Sequence, residues 1–63
     1  MRFGEFLVLN NYISQENLDV ALRVQNSQRK DGQYKLIGLI CNQLGFLRKK
    51  ELEKALEDFF NDK

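Results

Sequence analysis

The sequence predicts an all-α protein in which four short helices form a compact bundle from two tandem helix-turn-helix repeats. Three observations carry that prediction. The chain repeats on itself at a shift of 34 positions, the second half of each copy has apolar residues at helical spacing, and Asn or Gly stands where each opening helix must stop.

The repeat is read without gaps. Gly4 meets Gly38, Leu18 meets Leu52, Ala21 meets Ala55 and Leu22 meets Leu56. Apolar positions coincide as well: Phe3 with Ile37, Phe6 with Ile40, Leu7 with Cys41, Tyr12 with Phe46, and Ile13 with Leu47. One domain, 1–63, is therefore expected to hold repeat one at 2–25 and repeat two at 36–59.

The first helix is expected over 2–10. Its run Phe6-Leu7-Val8-Leu9 would also suit a strand, but alternation and hairpin turns are missing around it. Repeat two decides the matter. Ile37, Ile40, Cys41 and Leu44 follow helical spacing, and Gly45 sits where a left-handed helix cap belongs. Asn11 holds the matching place in repeat one, and Asn is the next best residue for that backbone.

The second helix, expected over 14–29, carries Leu18, Ala21, Leu22 and Gln25 on one stripe. Ser14 is its N-cap, Glu16 suits the dipole, and Arg29 and Lys30 suit the other end before a turn at Asp31-Gly32. The third helix is expected over 35–44 and the fourth over 48–61, where Leu52, Ala55, Leu56, Phe59 and Phe60 repeat the stripe. Short connections make neighbours roughly antiparallel. The expected core is Phe3, Phe6, Leu7, Ile13, Leu18, Leu22, Ile37, Ile40, Cys41, Leu47, Leu52, Leu56 and Phe59.

Composition narrows the function. A chain of 63 residues buries only about 60% of its unfolded surface, so its core is thin. The net charge of +1 gives no bulk attraction for nucleic acid or an anionic membrane. Cys41 is the one cysteine and histidine is absent, which rules out an internal disulfide and argues against a zinc site. No run approaches the roughly 20 apolar residues that span a bilayer, and the opening is too short for a secretory signal. A cytoplasmic setting without membrane insertion is expected. Catalysis is not: there is no histidine, no glycine-rich phosphate loop, and no Ser or Cys beside a base.

The tandem pattern resembles the N-terminal domain of the assembly ATPases of type II secretion and type IV pili. Copy one, "RFGEFLVLNNYISQENLDVALRVQ", matches that family's repeat at Arg2, Gly4, Leu7, Val8, Ile13, Leu18, Leu22 and Gln25. Copy two, "LIGLICNQLGFLRKKELEKALEDF", keeps Gly38, Gly45, Leu52 and Leu56. The resemblance implies a non-enzymatic docking or regulatory module whose partner is a protein, with the secretion or pilus machinery as the candidate.

One branch of the family binds cyclic di-GMP across both motifs. The resemblance carries that role onto Arg2, Gly4 and Gln25, and in copy two onto Gly38 and Gly45 alone. Leu36 stands in place of the second Arg, Phe59 in place of the second Gln, and the spacer 26–35 is longer than that branch's. A lost arginine contact removes about 1.5–3 kcal/mol. Lys35 could replace only the point charge, so cyclic di-GMP is the alternative ligand and is expected to bind weakly. No other cofactor is implied.

Arg48, Lys49 and Lys50 open the fourth helix without a Ser or Asp cap, and are a candidate contact for an anion or an acidic partner. Exposed faces of the second and fourth helices, with Arg23, Glu53, Lys54 and Glu57, are expected to set register with a partner protein. A tetratricopeptide pair shares the period but needs three units. A small helical DNA-binding domain remains a further alternative, disfavoured by scattered cations.

Overall fold

The computed structural model describes residues 2–30 and 36–61. Among them the chain forms four helices and no strand: α1 (Phe3–Leu9), α2 (Gln15–Lys30), α3 (Ile37–Gln43) and α4 (Lys49–Asn61). The Phe6-Leu7-Val8-Leu9 run is helical. The expected turn at Asp31-Gly32 lies outside the described residues.

Each short helix ends by the same device. Asn11 (φ 62°) and Gly45 (φ 84°) adopt the left-handed backbone. The Tyr12 N–H donates to the Leu7 carbonyl at 2.9 Å and the Asn11 N–H to that of Val8 at 3.1 Å. In copy two the Phe46 N–H donates to Cys41 at 2.9 Å and the Gly45 N–H to Asn42 at 3.1 Å. This paired pattern is the Schellman stop, which satisfies carbonyls the helix leaves orphaned. Both stops reverse the chain, bringing each long helix back against its short one.

The long helices start differently. The Asn17 N–H donates to the Ser14 hydroxyl at 3.0 Å, so Ser14 caps α2 as expected. At α4 the cap position is Arg48, and Glu51 reaches back to accept the Arg48 N–H at 3.1 Å. The two contacts are the opposite halves of a capping box.

The short helices lie at the centre. α1 packs against α2, α3 and α4, α3 packs against α1, α2 and α4, and α2 and α4 do not pack on each other. The most extensive contact is between α2 and α3, which belong to different copies. Leu7 and Cys41 are fully buried at equivalent positions, as are Ala21 and Ala55. Phe6, Ile13, Leu18, Ile40, Leu47 and Leu52 complete the core, with Phe3, Ile37, Leu56 and Phe59 half-buried against it.

Leu22 departs from the expected core and is 37% exposed. α2 turns Leu18, Ala21 and Gln25 inward, and Leu22 stands one step around the helix on the flank of that stripe. The alanines make up the difference. Their small side chains are fully buried where α2 and α4 pack on the short helices, and the expected core omitted both.

Gly4 and Gly38 mark the crossing of α1 and α3. A Cβ on Gly4 would lie 2.7 Å from Leu18 Cδ1 and 3.8 Å from Ile37 Cγ2. A Cβ on Gly38 would lie 2.7 Å from both Leu52 Cδ1 and Phe3 Cε2. Leu18 corresponds to Leu52 and Ile37 to Phe3, so the contacts are reciprocal, as a two-fold relation between copies requires.

Candidate functional site

A groove of about 980 Å³ runs across this crossing. Its lining follows the repeat. Phe3 and Ile37, Leu18 and Leu52, and Leu22 and Leu56 face it as equivalent apolar pairs, and Gly4 and Gly38 form its floor between them. Three further equivalent pairs line it, and these differ in kind: Arg2 against Leu36, Glu5 against Leu39, and Gln25 against Phe59. In each, copy one supplies the polar residue and copy two the apolar one. The shape is therefore two-fold while the chemistry is not.

Each half has a local cause. Arg2 is the N-cap residue of α1 and Leu36 that of α3, both extended, which places their side chains at the groove's rim. Glu5 and Leu39 follow one turn later on exposed helix surface. Gln25 is 8% exposed on the inner stripe of α2, with polar contacts. Phe59 instead joins a ring cluster, edge-on to Phe3 at 5.2 Å and to Phe6 at 5.3 Å between centroids. Such pairs contribute about 0.5–1.5 kcal/mol beyond burial, so the apolar substitution on copy two also ties α4 to α1.

The ligand residues expected from sequence fall into three groups. Arg2, Gly4, Gln25 and Gly38 line this one groove. Gly45 holds the α3 stop and does not line it, and Lys35 lies outside the described residues. Arg48, Lys49 and Lys50 are exposed at the start of α4, away from the groove. There the Glu51 carboxylate already occupies the Arg48 N–H, so an incoming anion meets a negative charge. Sequence reasoning missed Glu5, Gln15, Leu39 and Phe60 as groove residues. The repeat offset would have found Leu39 once Glu5 was placed.

Among the described lining residues Glu5 carries the carboxylate, and no His, Cys, Ser, Thr or Tyr lines the groove with it. The Cys41 thiol is buried elsewhere, and burial raises its pKa, so the neutral form persists. No cluster of three or more His, Cys, Asp or Glu that could hold a metal occurs among the described residues. The arrangement is a wide cleft, apolar through its middle, with a polar half and an apolar half.

No protein-family model matches the sequence, and neither a curated protein nor a solved structure does. Fold and site define a small all-α bundle with a groove at the junction of its two repeats. Among the described residues no helix is long and apolar enough to cross a membrane.

Proposed function

We propose that this chain is a non-enzymatic docking module of the secretion- and pilus-ATPase N-terminal type, working in the cytoplasm through protein–protein contact. The observation that carries this reading is a cluster of exposed apolar side chains around one groove. Leu22, Leu36, Leu39 and Phe60 all line it and are 37%, 59%, 46% and 68% exposed. Scattered exposed leucines need no explanation, whereas a contiguous set around a cleft is the usual mark of a partner site. Immobilised wild-type chain should capture a component of secretion or pilus machinery from a bacterial lysate, and Leu39→Asp should lose it. Equal capture by both, or none by either, would remove the reading.

Cyclic di-GMP is the second reading, favoured by Arg2, Gly4, Gln25 and Gly38 lying on one groove. Leu36 leaves the second half without its cation, so calorimetry should show binding at about tens of micromolar or weaker. Arg2→Ala should abolish it and Leu36→Arg should strengthen it. Submicromolar binding indifferent to Arg2 would sink the assignment.

A further inference from the structure

The groove has two-fold shape and one-directional chemistry, and that combination says more about its occupant than exposure alone. Resting on the docking reading, we infer that the partner is an amphipathic helical segment with an acid and a base one turn apart at one end and an apolar stripe continuing to the other. It enters in a single orientation.

Charge selects the first feature. Among the described residues Arg2 and Glu5 are the charged ones of the lining; they have opposite signs and stand three positions apart, Arg2 at the N-cap of α1 and Glu5 in its first turn. An anionic head group drawn to Arg2 would also meet Glu5 and be repelled by it. A segment bearing both signs satisfies both residues. Among the described residues the opposite half, with Leu36, Leu39 and Phe60, offers no polar side chain to such a pair and would strand it against hydrocarbon. Reversed entry is therefore penalised, which is how an interface obtains specificity from a repulsive element.

Form selects the second. The groove's middle is walled by aliphatic pairs on both sides, the environment in which an amphipathic helix lays down side chains at i, i+3, i+4 and i+7.

The test selects random displayed peptides on the intact chain and measures enriched peptides by fluorescence anisotropy. Enriched sequences should share the apolar stripe and carry an acid and a base within one turn at a single end. Arg2→Glu or Glu5→Lys should weaken them about tenfold, since each turns an attraction into a repulsion. The Arg2→Glu/Glu5→Lys double variant should recover binding to peptides whose two charges are exchanged. Peptides that need Leu39 but lack the charge pair, or ignore Arg2→Glu, would overturn this inference and leave docking intact. No enrichment, or enrichment indifferent to both Leu39→Asp and Leu36→Asp, would remove groove docking itself. If sedimentation shows self-association that Leu39→Asp abolishes, the occupant is a second copy of this chain and the inference falls. All the substituted residues are exposed, and circular dichroism on each variant checks that the fold is kept.

Discussion

Gly38→Ala sets two effects of known sign against each other. Inside α3, alanine is the better helix former by about 1 kcal/mol. The new Cβ, however, would sit 2.7 Å from Leu52 Cδ1 and from Phe3 Cε2, and 3.4 Å from Phe3 Cδ2. Leu52 is 6% exposed, and the Phe3 ring is held between Phe6 and Phe59. Leu52 Cδ1 is the end of a flexible side chain, but the Phe3 ring must shift as a whole against Phe6 and Phe59, and overpacking of this kind costs about 1–3 kcal/mol. The net effect should be a loss of up to about 2 kcal/mol, large for a chain whose core supplies roughly 3–5 kcal/mol. Gly4→Ala is the internal control. Its Cβ would press on one methyl, Leu18 Cδ1, with the next atom at 3.7 Å. One rotamer adjustment relieves that, and the propensity gain should bring the change close to zero. Urea titration followed by far-ultraviolet circular dichroism reads both as midpoint shifts at constant slope. Phe3→Val should recover part of the loss in the Gly38→Ala background. A Gly38→Ala chain more stable than wild type, or a Gly4→Ala chain damaged at least as much as Gly38→Ala, would refute the crossing geometry.

Other expectations follow from burial and backbone. Leu7→Ala and Ile40→Ala remove side chains 0% and 1% exposed and should cost about 2–5 kcal/mol each; Leu22→Ala should cost well under half as much by the same titration. Asn11→Gly should stabilise slightly, and Asn11→Val should destabilise by about 1–2 kcal/mol, because φ is 62° there. Cys41 should react with thiol reagents only as fast as the chain opens, so labelling should accelerate with urea. Its raised pKa means that the unfolded chain releases the thiol proton first. Stability should therefore fall as pH rises through the alkaline thiol range and be unaffected by this group below it.

Much of the fold could be read from the residues, because each local signal had a twin. Phe6-Leu7-Val8-Leu9 is ambiguous alone, yet Gly45 in the second copy identified Asn11 as a helix stop, and both adopt positive φ. Ser14 announced its own cap. The start of α4 could not be read in that way, since its cap bond comes from Glu51, three residues inside the helix. Leu22 misled because an amphipathic stripe defines a face only to within one residue's turn, and which flank closes depends on the neighbouring helix. The groove was legible only as separate residues. Arg2, Gly4, Gln25 and Gly38 could be named in advance, but their meeting with Leu39 and Phe60 follows from how α1 crosses α3, and spacing along one chain carries no crossing.

The preference of α2 for α3 over its own α1 has a consequence for how such a chain could arise. A lone copy would leave the inner face of its long helix, with Leu18 and Ala21, without the short helix that covers most of it. A second identical copy could supply that cover, and the reciprocal approach of Gly4 to Ile37 and Gly38 to Phe3 describes the resulting contact. A single unit could bury that face by pairing with a second copy. Joining two units in one chain removes the need to find a mate, and it frees each copy to change without the other. Leu36 and Arg2 could then diverge at one position of the repeat, which no symmetric dimer of identical chains permits.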